Sequence, residues 1–312
     1  MRPIEACLRI PVLFLLVVLT VGWGFPVHRH INRSAAEALP EPLRGWFMVE
    51  VDWLASHATD ADKRKHTVER EAPRHYIDVD APALACLDTL GEAPWYSQAT
   101  SACTEDTLWA YGVLPWQLQW TYDKLVVAMD SLDRAGILRY AADLGHYVAD
   151  AHVPLHTTLN YNGQLTGQEG IHAVWETRLP ALFGGRYNLV VHEVGYVSDV
   201  PSAAWEMVAQ SHQHVALLLE KERQTTLAWE GSSWVREARG GTMQLQQEPD
   251  WCEAYHKELG DMVELQWRAA IGSVSALWYS AWVDAGQPDL ARVLSPNQRR
   301  TKRSKRRDRA TD

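Results

Sequence analysis

The chain has 312 residues, of which 46% are apolar and 22% charged, enough to bury a core and too few charges for a disordered chain. The formal charge of −9 is uneven: residues 297–312 carry +6 and residues 1–22 carry +1, which leaves −16 on the body between them. So acidic a body excludes a general polyanion-binding surface, though not a single cationic pocket.

At the amino terminus, Arg2 and Arg9 precede an apolar run from Ile10 to Val21 that ends in Thr20-Val21-Gly22. This is the pattern of a leader, with residues 1–22 removed and Trp23 left first. A retained anchor is the alternative, because Ile10 to Val27 is uncharged and long enough to span. Cleavage places the mature chain in a secreted or periplasmic location with no membrane span. Asn32-Arg33-Ser34 fits a glycosylation sequon, relevant only in a eukaryotic secretory pathway.

Fifteen Trp against four Phe, recurring among helix-forming segments, point to long helices and not to a β-sandwich. A helix is expected from Arg29 to Leu39, ended by Pro40 and Pro42, and another from Gly45 to His57, with Trp46, Val49 and Trp53 on one face. The polar stretch from Ala58 to Arg74 reads as irregular. Cys86 and Cys103 flank a Gly/Pro/Ser/Thr-rich stretch, Leu90 to Ser101, and are the candidate disulfide; Cys252 falls outside that pair. Two helices follow between Trp109 and Val148, joined near Asp133 to Gly136, then long ones over Ala203 to Leu227 and Trp251 to Asp284. Loops are expected at Pro154 to Gly170, Phe183 to Pro201 and around Gly240 to Pro249. No linker or internal repeat stands out. The expected architecture is all-α: one mainly helical domain over residues 23–296, then a solvated basic tail, 297–312.

The chemistry concentrates mid-chain, where His146 and Asp150, and then His172 and Glu176, are each four residues apart. On a helix that spacing puts an imidazole and a carboxylate on one face. One such pair is commonly a surface ion pair. Two pairs with His156 between them make a nitrogen and oxygen ligand set of the kind zinc prefers. His152 lies outside the pattern and reads as a packing or surface residue.

Two upstream pieces complete a known arrangement: Trp23-Gly-Phe-Pro-Val-His28, and Asp60 followed by Arg74-His75-Tyr76-Ile77-Asp78. From Trp23 to about Pro288, including a last helix that ends Leu277-Trp-Tyr-Ser-Ala-Trp282, the chain resembles the superfamily joining single-strand-specific zinc nucleases of fungi and plants with bacterial zinc-dependent phospholipase C. The resemblance implies a helical fold with three zinc ions. Trp23 (through its amino group and carbonyl), His28 and Asp150 would bind one; Asp60, His75, His146 and Asp150 a second; His156, His172 and Glu176 the third. Asp150 would bridge two of them, and Asp60 and Asp150 would serve the catalytic pair. Asp62 competes with Asp60, which is preferred because its fifteen-residue interval to His75 matches the family. Only a neutral α-amino group coordinates, so leader removal would also mature the enzyme.

The implied reaction is attack on phosphorus by a water held between the closer two ions. Asp78 is expected to accept the outer N–H of a ligating His. Tyr76 stands where the nucleases place a base-stacking ring; a half-buried core Tyr is the alternative. His28, five residues after Trp23, and the segment from His172 to Pro180 resemble the nucleases, whereas Glu176 resembles the phospholipases. The expected substrate is therefore single-stranded nucleic acid or a 3′-nucleotide, with a phospholipid headgroup as the alternative and no obligate protein partner. A reading of another class is a non-catalytic secreted zinc-binding protein. Against it, three protein ligands at the third ion leave a position open, where structural sites are closed by four.

Overall fold

A computed structural model of the protein describes residues 24–239 and 242–293, the side chains of 237–239 and 242–244 apart. The expected leader, Trp23 and the expected basic tail lie outside these residues. Helix α1 (Phe25–Ala38) starts ahead of its expected position, because Pro26 lies in its first turn, where a missing N–H is no loss. Val27, Ile31 and Ala35 are buried along one side and His28, Asn32 and Ala36 along the next. The burial of Asn32 overturns the sequon: its Nδ2 donates to the carbonyls of Leu54 (3.4 Å) and Ala142 (3.3 Å).

The single helix expected over Gly45 to His57 is two, α2 (Leu43–Phe47) and α3 (Val51–His57). The break exposes both oxygens of the buried Glu50 to the Arg134 guanidinium, at 2.9 and 2.8 Å. Within the stretch read as irregular, α4 (Asp60–Arg64) and a 3₁₀ turn (Ala72–His75) form. Helices α5 (Tyr96–Cys103) and α6 (Glu105–Tyr111) follow, and the Cys86–Cys103 disulfide joins α5 to the preceding turn, with Cα atoms 5.4 Å apart.

Helices α7 (Leu114–Asp130) and α8 (Arg134–Ala151) meet at a tight turn in which the Asp133 side chain caps the Ala135 amide at 3.1 Å. Helix α8 is the centre of the molecule, flanked by α1, α3 and α7, and from Ala141 to Ala151 every residue is buried. Beyond a long loop, α9 (Ile171–Ala173) passes through a π turn (Val174–Arg178) into α10 (Leu179–Phe183).

Three expectations for the carboxy-terminal half need correction. The helix over Ala203 to Leu227 is α11 (Val200–His212) and α12 (Val215–Ala228). The loop expected around Gly240 to Pro249 overlaps an antiparallel hairpin, β1 (Trp234–Arg239) and β2 (Thr242–Gln247), with Trp234 opposite Gln247. The last helix is α13 (Pro249–Leu259) and α14 (Met262–Asp284), divided at Gly260, whose φ of 60° is free of strain for glycine. The fold is otherwise mainly helical over the described residues, with loops between the helices. None of these helices is long and apolar enough to cross a membrane. Trp46, Trp116, Trp175, Trp251 and Trp278 are fully buried, and the Trp278 indole N–H donates to the Ala141 carbonyl (3.0 Å), tying α14 to α8.

Candidate metal centre

The buried end of α8 carries His146 and Asp150 one turn apart, with His146 Nε2 at 3.2 Å from Asp150 Oδ2. Helix α1 lays His28 flat against His146, ring centroids 4.1 Å apart. From the other side the 3₁₀ turn brings His75, whose Nδ1 lies 2.8 Å from Asp150 Oδ2 and 3.0 Å from His146 Nε2. Asp150 thus turns Oδ2 to His75 and His146 while Oδ1 faces His28 Nε2 and His156 Nδ1, each at 3.6 Å. In the third group, His156 Nε2 lies 3.1 Å from His172 Nε2, and Glu176 Oε2 is 3.0 Å from His172 Nε2.

Backbone pairing stitches these groups together. His156 Nδ1 donates to the His75 carbonyl (2.8 Å) and the Ile77 amide donates to the His156 carbonyl (2.9 Å). The Gly24 amide donates to the Glu176 carbonyl (3.3 Å), so the residue that follows Trp23 is anchored beside the third group.

The outer ring nitrogens determine the tautomers. His146, His156 and His172 each turn Nδ1 to a backbone carbonyl, of Ala58, His75 and Tyr161, at 2.8 to 2.9 Å. A carbonyl only accepts, so each Nδ1 carries a proton and each Nε2 faces inward, where it offers a lone pair once a metal ion displaces any proton on it. Nε2 then faces Nε2 between His156 and His172, beside the Glu176 carboxylate, an arrangement that a shared proton or a metal ion between them satisfies. Both nitrogens of His28, one oxygen each of Asp62 and Asp150, and both oxygens of Glu176 are buried without a hydrogen-bond partner in the protein. Metal ligation satisfies such atoms, so the residues fit divalent ions. Among the described residues, three buried groups have this capacity: His28, His146 and Asp150; Asp62, His75 and His146; His156, His172 and Glu176.

The charges agree. Burial alone would lift Asp150, but His146 and His156 outweigh it and hold the carboxyl well below the usual range. Burial works against a charge on His146, yet Asp150 and Asp62 raise it to about 9. His28 is pushed down to about 3 by burial, with His146 adding to the effect. The carboxylates make this pocket attractive to positive charge, whether a proton on His146 or a metal ion that displaces it.

Asp60 is not part of the site. It pairs with Lys63 (2.6 Å) and opens onto a separate cavity lined by Trp53, His57 and Arg139. Asp62 takes the place assigned to it, 3.6 Å from His146 Nε2 and 3.8 Å from His75 Nδ1. The reason is helical: residues two apart on α4 point about 200° apart, and only Asp62 faces α8. The expectation for Asp78 is also corrected, because the outer nitrogens of three ligands are taken by carbonyls and that of His75 faces Glu71. His152 is a packing residue, with Nδ1 donating to the Val148 carbonyl (2.8 Å) and Nε2 near Ser273 Oγ (3.3 Å).

A cavity of about 240 Å³ opens onto the site, lined by Lys65, His75, Tyr76, Asp78, Leu155, His156, Tyr161 and His172. Sequence reasoning missed Lys65, whose Nζ is 2.8 Å from Asp62 Oδ1. Burial works against its charge, but Asp62 and Asp150 outweigh it and hold the ammonium above its ordinary range. The i,i+3 spacing of Asp62 and Lys65 was the available signal. Asp78 is pushed up to about 7 by burial, with Asp80 adding to the shift against an opposing His156. Comparison of the chain with models of known families and with curated proteins returns no match.

Proposed function

We propose that the protein is a secreted zinc-dependent phosphodiester hydrolase that prefers single-stranded nucleic acid or 3′-nucleotides. The observation that carries the reading is the pairing of the three ligand groups with a cavity that holds one ammonium, two tyrosine rings and a carboxyl group. His28, Asp62, His75, His146 and Asp150 would hold two ions and His156, His172 and Glu176 the third, with the amino group of Trp23 completing the first set after leader removal. When bound, zinc supplies water acidification and charge neutralisation at phosphorus. Lys65 supplies a fixed positive charge to a phosphoryl oxygen. Tyr76 and Tyr161 offer flat faces to a nucleobase, and Asp78 can exchange a hydrogen bond with a base edge. The Cys86–Cys103 disulfide accords with an oxidising compartment.

Glu176 favours a second reading, phospholipase C, because it is the carboxylate found in that branch of the family the chain resembles. In the non-catalytic reading the ions would tie helices together without turnover.

The test takes mature protein that begins at Trp23, measures bound zinc, and compares hydrolysis of single-stranded DNA or RNA with that of phosphatidylcholine. Nucleotide release that a chelator stops and zinc restores is the expected result. Phosphocholine release alone would replace it with the phospholipase reading. Three bound zinc ions with no turnover of either substrate would favour the non-catalytic one.

A further inference from the structure

His75 differs from the other inward-facing histidines. His146, His156 and His172 use Nε2 inward and rest Nδ1 on backbone carbonyls, whereas His75 turns Nδ1 inward, and its outer Nε2 is buried with no hydrogen-bond partner. That nitrogen faces the carboxylate of Glu71, with Oε1 at 3.9 Å. Glu71 is 4% exposed and is held from three directions. The Tyr147 hydroxyl donates to Oε1 at 2.5 Å, Arg64 donates to the same oxygen through Nε (3.3 Å) and Nη2 (3.2 Å), and Arg74 Nε lies 3.7 Å from Oε2. Arg64 also donates to Asp143 at 3.1 Å, so one guanidinium bridges two carboxylates beneath the site.

A buried carboxylate is costly unless it is paired, and this one is held by Tyr147, Arg64 and Arg74 while its Oε1 also faces His75. We propose that Glu71 is the positioning residue for His75: its negative charge keeps the His75 proton on Nε2, leaves the Nδ1 lone pair for the ion shared with Asp62 and His146, and makes that lone pair more basic. Arg64 and Tyr147 fix the carboxylate in place. The inference rests on the metal-binding reading of the cluster and not on the identity of the substrate. Carboxylate support of this kind is worth 10–100-fold in metal affinity in known sites.

The experiment titrates zinc out of the full mature protein with a competing chelator, and follows the imidazole ¹⁵N–¹H signals of His75, for the wild type, Glu71→Gln and Tyr147→Phe. For Glu71→Gln the expectation is that one ion leaves at about tenfold or more lower chelator concentration, that the ion at His156, His172 and Glu176 is unaffected, and that the His75 Nε2–H signal is lost or shifted. Tyr147→Phe retains the carboxylate and its Arg64 and Arg74 contacts, so it should weaken the same ion less, and it carries the test if Glu71→Gln does not fold. Unchanged titration and an unchanged His75 signal in either folded variant overturn the inference, as does equal weakening of all three ions, which marks a general structural defect. If the wild type binds no zinc, the metal reading itself fails.

Discussion

Two aspartates two positions apart have opposite fates here, and substitution separates them. Asp62→Asn removes a carboxylate that faces His75 and His146 and should release one zinc and lower turnover by more than about a hundredfold. Asp60→Asn loses only its pair with Lys63 and should retain full zinc content, as read by metal analysis beside an activity assay. Asp150→Ala should release more than one ion, because its two oxygens face different groups. His152 predicts a pH effect outside the metal cluster. Burial lowers its pKa from 6.5 to about 4, so the unfolded chain takes up a proton in that window and the folded one does not. Its contribution is complete above pH 6.5 and is lost as pH falls toward 4, by about 3 kcal/mol at most. Denaturant unfolding across this range should show a shallower decline for His152→Gln than for the wild type; equal slopes would refute the assignment.

At the scale of elements, the site depends on how closely α1 approaches α8. Gly145 makes that approach possible, since a Cβ there would collide with the Asn32 carboxamide. Gly145→Ala should cost about 1–3 kcal/mol of stability, seen as a lower midpoint in denaturant, and should weaken zinc at the group that needs His28 from α1. Stability lost with no change in zinc affinity would mean that the helix spacing and the site are independent. The hairpin of β1 and β2 and the interruptions at residues 48–50, 213–214 and 260 were not legible in the sequence. Local pattern reports which residues prefer a buried face, and it is nearly silent on where a run of good helix formers must bend to stay on the core.

Across the whole molecule, on the proposed reading, the ions and the fold should stabilise one another, because five histidines and three carboxylates are gathered in one buried region and several of their polar atoms have no hydrogen-bond partner in the protein. Removal of zinc with a chelator should lower the thermal midpoint, and zinc restored well above its dissociation constant should recover on the order of 4 kcal/mol. An identical midpoint with and without metal would show that the cluster is stable unloaded. On the same reading, three divalent ions would bring +6 to one place within a body of strongly negative formal charge.

Beside the Cys86–Cys103 pair, which it offered only as a candidate and the fold closed, the sequence by itself determined the helical class and the two four-residue spacings of His146 with Asp150 and His172 with Glu176. These are local or compositional properties, and helical periodicity alone carries them. Only the tertiary structure decided between Asp60 and Asp62, turned Asp78 into a cavity wall, buried Asn32, and brought Lys65 and Glu71 to the site. A chain interval does not report a side chain's direction when the segment between two residues can form a short helix, and α4 rotates neighbouring positions to opposite faces.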